Sequence, residues 1–262
     1  AAVLAAQIDE WLHAGPVPVL MSGMIGSRQG WVEASYVTCP AGLGDLAAGL
    51  VEVPFAGAEV RIVPGAETVS ANMRDVMRGE ETQVFGALAR TGEDGGRFLL
   101  PGTHSKWVLA EGGRIAGFST YMTGEIFAAC RNHTILGRLM TEGEASAGSF
   151  SRGVRDGARA GGPGALLNRL FGVRTAGLFG EMAGADLPDY LSGLLIGVEI
   201  ADAGRSDSRP VRIIASDVLA ERYRTAATEL GIGAEVVPAD CIVAGYLVIG
   251  RAAGLMSGPS GS

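Results

Sequence analysis

The residue types best suited to chemistry gather in five short segments. The first is Leu100-Pro-Gly-Thr-His-Ser-Lys-Trp107. A tight turn there, between two strands, would aim backbone N–H groups and the Thr103 and Ser105 hydroxyls at one point. Gly102 lets the backbone come close and Lys106 adds charge. Converging donors of this kind bind phosphate, although a plain hairpin turn with polar residues facing water fits the local pattern equally well. The GxxxxGK[ST] spacing of a P-loop is absent.

The second segment, Ser22-Gly-Met-Ile-Gly-Ser-Arg-Gln-Gly-Trp31, is a glycine-punctuated loop. Arg28 offers a two-pronged grip on a carboxylate, Ser27 and Gln29 can bond hydroxyls, and Trp31 gives a flat apolar wall. A strand-to-helix connector with a solvated Arg is the bland alternative. In the third, Arg78-Gly-Glu-Glu81, a helix would set Glu81 on the stripe of Met77, Val84, Phe85 and Leu88. A carboxylate there is costly unless paired or functional, whereas Glu80 and Glu81 also suit a helix N-terminus. Thr123-Gly-Glu125 starts a helix and could face an anion, with ordinary capping by Thr123 the commoner use. Ile214-Ala-Ser-Asp217 joins a strand to a helix, a frequent nucleotide-contact position, and capping by Ser216 explains it as well.

These segments need a scaffold, and the chain reads as mixed α/β. Leu4, Ile8, Trp11 and Leu12 predict a first helix that ends near Gly15-Pro16, followed by a strand over Val17 to Met21. A short helix follows a glycine-rich turn within 39–50, and Val60 to Val63 is a strand. A loop then leads to a helix over about 79–91, closed by Gly92. Strands over 97–100, 106–110 and 114–120 form a meander, and a helix runs from Thr123 to about 136. Residues 141–164 read as helix fragments and a mobile loop, above all Gly157 to Gly164. Pro188 opens a helix to about Ala201. Val211 to Ala215, a helix with the stripe Leu219, Tyr223, Ala226 and Leu230 stopped by Gly231, and the strand Ala234 to Val237 make a strand–helix–strand unit. A last helix over about 241–256 has Gly245, Gly250 and Gly254 for close packing.

Composition narrows the function classes. Glycine counts 41 of 262 residues, more than twice the usual share of about 7%, yet 47% of residues are hydrophobic, enough for a sizeable core. A formal charge of −7 argues against a nucleic-acid or acidic-membrane partner. Lys106 is the single lysine among 21 basic residues. Cys39, Cys130 and Cys241 lie far apart with no CxxC, and His13, His104 and His133 have no metal-ligand spacing, so the metal-ligating residues stay unknown. No apolar run is long enough to span a membrane and no signal peptide is visible, so the expected compartment is the cytoplasm. The chain starts with Ala inside a helical pattern, which predicts a missing N-terminal piece.

Taken together, the segments resemble the 2-dehydro-3-deoxygalactonokinases, sugar-acid kinases of the actin/Hsp70/hexokinase superfamily. The resemblance runs along nearly the whole chain. It rests on Met21-Ser-Gly-Met-Ile-Gly-Ser-Arg-Gln-Gly-Trp31, Asp75-Val-Met-Arg-Gly-Glu-Glu-Thr-Gln83, Pro101-Gly-Thr-His-Ser-Lys-Trp-Val108, Met122-Thr-Gly-Glu125 and Tyr190-Leu-Ser-Gly-Leu-Leu-Ile-Gly197. Several long motifs in the right order are specific where each alone is weak.

The resemblance implies ATP-dependent phosphorylation of 2-dehydro-3-deoxygalactonate at its terminal hydroxyl, in galactonate breakdown, with ATP and Mg²⁺ between two RNase H-like domains. The expected domains are 1–94 and 95–240, with the C-terminal helix of 241–262 packing back on the first. Gly102, Thr103, His104, Ser105 and Lys106 would hold ATP phosphates, and Ser216 and Asp217 would lie near the adenosine. Ser22, Gly23, Met24, Ser27, Arg28, Gln29 and Trp31 would line the sugar-acid site. Arg28, or else Arg78, would grip the carboxylate, with Thr123 and Glu125 also on the substrate. The base would be Glu80 or Glu81, with His104 and Glu125 as alternatives. A homodimer is a family-level implication. The family's Asp-x-Gly-Thr/Ser phosphate loop has no counterpart before residue 22, so the first domain is expected to lack its N-terminal hairpin. Two other readings stay open: a kinase for another small sugar acid, and an inactive sugar-acid-binding fragment.

Overall fold

The computed structural model describes residues 1–256 apart from Ala14, Pro16, Ala71, Asn72, Gly162, Pro163, Arg205 and Ser206. Pro16 at the end of the first helix, Gly162 and Pro163 of the expected 157–164 loop, and 257–262 of the C-terminal segment lie outside the described residues.

In chain order the elements are α1 (Ala2–His13), β1 (Pro18–Met21), β2 (Tyr36–Thr38), β3 (Ala41–Gly42), α2 (Leu43–Ala48), β4 (Val51–Val53), β5 (Glu59–Ile62), β6 (Gly65–Ser70), β7 (Met73–Met77) and α3 (Glu80–Thr91). They continue with β8 (Gly96–Leu100), β9 (Ser105–Glu111), β10 (Arg114–Tyr121), α4 (Thr123–His133), α5 (Ala147–Ala158), α6 (Ala165–Leu178), α7 (Leu187–Ala203), β11 (Val211–Ala215), α8 (Asp217–Glu229), β12 (Ala234–Pro238) and α9 (Cys241–Ala252). The chain divides into two compact units. Unit 1 is Ala1–Gly96, Val108–Ser119 and the chain from Ala239; unit 2 is Arg97–Trp107 and Thr120–Pro238.

In unit 1, β1 pairs in parallel with β5, Pro18 opposite Glu59 and Met21 opposite Ile62, and β4 pairs antiparallel on the other side of β5. Pro18 is tolerated because it is the first strand residue. Ala34, Val53, Val60 and Ile62 form the core here, joined by Leu4, Val19 and Met21. Of the α1 stripe, Ile8 is buried and Trp11 stays 61% exposed. The loop expected over 65–78 is instead the antiparallel hairpin β6–β7. Its sequence has no Asn-Gly or Asp-Gly pair to mark a turn, and its strands alternate weakly, with Ala66 and Thr68 buried and Met73 exposed. Helix α3 begins after Gly79 and ends at Gly92, whose φ of 70° suits glycine. It packs on α9 backbone to backbone: a Cβ on Gly86 would lie 2.0 Å from the Cys241 carbonyl, and one on Gly245 2.0 Å from the Thr82 carbonyl. A Cβ on Gly254, expected in such packing, would meet nothing within 4 Å, and Gly254 turns the chain after α9 at φ 69°.

In unit 1, β10 pairs antiparallel with β3, Arg114 opposite Gly42. In unit 2, β8, β11 and β12 run parallel, Val211 lying opposite both Arg97 and Ala234. Leu99, Trp107, Val211 and Ile213 pack with Phe150, Val154, Ile196, Ile200 and Tyr223. Of the helix fragments and loop expected over 141–164, the twelve-residue α5 is the helical part, longer than a fragment and reaching Ala158; it is started by Ser146, whose hydroxyl accepts the Ser149 N–H. Mid-helix glycine lowers helix propensity, so the sequence reads as fragments where one helix forms. In the fold the same glycines let α5 and α7 touch, with Cβ positions at Gly153 and Gly193 falling 2.2 and 2.1 Å from the Tyr190 and Phe150 carbonyls. A second cluster, including Val173, Leu187 and Leu191, seats α6. Thr123 is the first residue inside α4, not its cap, and α4 stops at His133, short of 136, because Thr134 is extended. Ser216 holds the cap position of α8 without a side-chain cap bond, and Gly231 follows the helix at φ 71° as expected. Among the described residues no helix is long and apolar enough to cross a membrane.

Candidate functional site

In unit 1 the loop after β1 is built on glycine. A Cβ on Gly26 would meet the Ile62 side chain at 2.8 Å, and one on Gly30 the Ile25 carbonyl at 2.2 Å. Met24–Gly26 form one 3-10 turn, with Met24 67% exposed. Gly23 (φ 87°) faces Gly79 (φ 107°), so this loop and the Arg78-Gly79-Glu80 turn meet through two residues that only glycine fills easily. Ser22 shares a 2.8 Å hydrogen bond with Tyr246 on α9, and the Ser27 hydroxyl accepts the Gln29 N–H at 3.3 Å. Arg28 is exposed and pairs with Glu33 at 3.1 Å. Trp31 sits half-buried, edge-on to Phe55 with ring centroids 6.2 Å apart.

Arg78 has a different setting. Its Nη2 donates to the Ala34 carbonyl at 2.7 Å, its guanidinium lies 4.3 Å from the Tyr36 ring centre, and its buried Nε and Nη1 have no hydrogen-bond partner among the described residues. The Arg78 and Gly79 backbone N–H groups donate to Glu80 and Glu81, at 2.8 and 2.7 Å. Glu80 is half-buried, whereas Glu81 is fully buried on the apolar face of α3, as the stripe predicts. Burial pushes the Glu81 carboxyl up to about 7, against the lowering pull of its own and the Gly79 N–H groups, with the Glu80 charge adding to the rise. Thr82 donates to its other oxygen at 3.0 Å.

In unit 2 the Pro101–Lys106 segment docks on the start of α4. The Glu125 N–H donates to the Thr103 carbonyl at 3.0 Å, and a Cβ on Gly124 would lie 2.4 Å from the Gly102 carbonyl. Thr103 and His104 are exposed at the tip, and His104 meets Glu125 at 2.5 Å. Ser105 and Lys106 turn inward and are buried. Lys106 donates to Thr120 at 2.9 Å. Ser105 shares a 3.0 Å bond with Tyr223, which donates to Glu199 at 2.7 Å. Sequence reading missed Glu199, Tyr223 and Tyr246. The signal for Glu199 was present: an acid near the end of the otherwise apolar run Leu191 to Ile200.

Ser216 and Asp217 are exposed at the start of α8. Beside them opens a cavity of about 910 Å³ lined by Ser146, Phe150, Asp189, Val218, Arg222 and Thr225, among others. Arg222 pairs with Asp189 and sits 5.0 Å over the Phe150 ring. No group of three or more His, Cys, Asp or Glu gathers as a metal site among the described residues.

The family model for DGOK, 2-keto-3-deoxy-galactonokinase, matches residues 1–249. A curated Rhizobium meliloti (strain 1021) protein named as a 2-dehydro-3-deoxygalactonokinase is 40% identical over 242 residues, 90% of this chain and 78% of that one. The Escherichia coli (strain K12) 2-dehydro-3-deoxygalactonokinase is 35% identical over 242 residues, 92% of this chain and 80% of that one. A solved structure from Sinorhizobium meliloti, described as a 2-dehydro-3-deoxygalactonokinase protein, superposes with a TM-score of 0.87 at 37% identity, covering 96% of this chain and 85% of that one.

Proposed function

The chain belongs to the 2-keto-3-deoxy-galactonokinase family, and from that premise we propose that it transfers the γ-phosphoryl group of ATP to the terminal 6-hydroxyl of 2-dehydro-3-deoxy-D-galactonate. The observation that carries the reading is the whole-chain family match, joined in unit 2 by a glycine-turned loop docked on a helix N-terminus. Phosphoryl transfer asks chiefly for positioning and charge neutralisation. The Gly102–His104 backbone, the Thr103 hydroxyl and the positive start of α4 supply the first; buried Lys106 supplies charge from below. The cavity beside Ser216 and Asp217 suits the nucleoside, since its apolar wall of Phe150 and Val218 can take a flat ring and its polar rim the ribose.

On the sugar-acid side, exposed Arg28 fits the carboxylate, because an exposed pair such as Arg28–Glu33 is weak and easily exchanged. Ser22, Gly23, Met24, Ser27, Gln29 and Trp31 share its loop. Glu80 is the better base than Glu81: it is partly exposed, whereas Glu81 is sealed with both oxygens engaged. The base accepts the hydroxyl proton as the new O–P bond forms, and ADP leaves with the electrons of the broken bond. His104 and Glu125 stay with the phosphate loop. Thr123 is turned inward to Glu199, so of Thr123 and Glu125 the latter is the exposed one.

Mg²⁺ belongs to the proposal as MgATP, where it neutralises phosphate charge. RNase H-like domains near 1–94 and 95–240 are also proposed. A meander followed by parallel strands, with helices between, supports the second; α9 packed on α3 supports return of the C-terminal helix to the first. Three free thiols suit a cytoplasmic enzyme. The exposed Leu167, Phe171 and Leu178 stripe of α6 supports the homodimer.

The test is a coupled ADP-release assay across a panel of sugar acids. ADP release that requires 2-dehydro-3-deoxygalactonate supports the proposal. Faster turnover of another acid moves the substrate, and binding of the acid with no MgATP binding by calorimetry replaces the kinase with a binding protein.

A further inference from the structure

A buried acid that touches no proposed substrate atom joins the elements around the phosphate loop. Glu199, on α7, is 1% exposed. Removing a carboxylate from water is expensive unless donors surround it. Here three neutral side chains do so, with a fourth behind them. Trp107 Nε1 donates at 2.9 Å and Tyr223 Oη at 2.7 Å, the Thr123 hydroxyl also bonds it, and Ser105 reaches it by donating to Tyr223 Oη at 3.0 Å. Burial nevertheless raises its carboxyl above the usual range, while the hydrogen bonds pull it down.

The donors come from both sides of one loop. Ser105 ends the Pro101–Ser105 turn. Thr123 begins α4 and precedes Gly124 and Glu125, whose backbone touches Gly102 and Thr103. Tyr223 ties the same carboxylate to α8, six residues after Asp217. A single acceptor thus sets the spacing between the loop, the start of α4 and the helix that follows Ser216.

We propose that Glu199 is a positioning residue that holds the phosphate loop and the start of α4 in nucleotide-binding register through Ser105, Thr123 and Tyr223. The inference rests on the proposed role of residues 102–106 in holding ATP phosphates. It confines the effect of Glu199 to the nucleotide, since Ser105, Trp107, Thr123, Glu199 and Tyr223 all belong to unit 2.

The test is Glu199→Gln, which keeps size while replacing an all-acceptor carboxylate by an amide. The expected result is MgATP affinity by calorimetry, and KM for MgATP, weakened about tenfold or more, equivalent to about 1.4 kcal/mol. KM for the sugar acid should move less than about threefold. Tyr223→Phe and Thr123→Val, each removing one donor, should shift MgATP the same way by smaller factors, and they carry the test if Glu199→Gln does not fold. Unchanged MgATP affinity in a folded variant overturns the proposal, as does an equal loss for both substrates, which marks a merely structural role. Failure of the underlying reading looks different: Thr103→Ala and Lys106→Ala would then leave nucleotide affinity unchanged, or the unaltered protein would bind no MgATP.

Discussion

The Glu81 carboxylate accepts the Gly79 backbone N–H at 2.7 Å from a side chain with no solvent exposure. This contact closes the turn that leads into α3 and holds Gly79 against Gly23. It also makes the start of α3 sensitive to pH. The Glu81 carboxyl is raised from 4.5 to about 7 in the fold, first by burial. Between those values the folded chain holds a proton that the unfolded chain has released. Stability therefore falls as pH rises through that window, by an amount on the order of 3 kcal/mol at its upper end. Glu81→Gln should flatten the slope of melting temperature against pH across the window. An unaltered slope would remove Glu81 as its source.

Arg28 and Arg78 should separate cleanly. Arg28 is exposed and salt-bridged only to Glu33 among the described residues, so Arg28→Ala should change stability by less than about 0.5 kcal/mol. It should nevertheless raise KM for the sugar acid about tenfold. Arg78→Ala should destabilise unit 1 by about 1–3 kcal/mol, since the Ala34 carbonyl loses its charged donor and Tyr36 its cation. Denaturant melts beside substrate titrations decide it. A stable Arg78→Ala protein with a high KM for the sugar acid would exchange the two roles.

Lys106 lies under the phosphate loop and donates to Thr120. Lys106→Met keeps the buried stem and removes the charge, so MgATP binding should weaken about tenfold or more with little change in fold. Lys106→Ala should show the same binding loss together with lower stability. Nucleotide affinity that survives both substitutions would refute the charge role.

Glycines of opposite kinds sit in α5 and α7. Gly193→Ala drives a methyl to 2.1 Å from the Phe150 carbonyl and should cost about 1–3 kcal/mol or more in a denaturant melt. Gly148→Ala meets nothing within 4 Å and should stabilise α5 by about 0.5–1 kcal/mol. Equal effects at the two positions would contradict the α5–α7 contact.

The sequence alone reached far into this protein where the signal is local. The α3 start at Glu80, its Gly92 stop, the 97–120 meander, the Pro188 helix and the α8 stripe follow from periodicity and punctuation between near neighbours. The acid on an apolar stripe at Glu81 was legible for the same reason, and the ordered motifs carried the family. Tertiary structure decided what depends on distant partners. Gly153 and Gly157 break the helix signal into fragments until α7 supplies the backbone they pack against, and the β6–β7 hairpin has no turn signature of its own. Thr123 looks like a cap until Glu199, 76 positions later, takes its hydroxyl. Ser105 reads as the end of a turn and Lys106 as the start of a strand, yet both are buried, Ser105 against the Tyr223–Glu199 pair and Lys106 on Thr120. A local pattern sets which conformation a segment prefers, but only the packed chain determines which polar group each side chain finds.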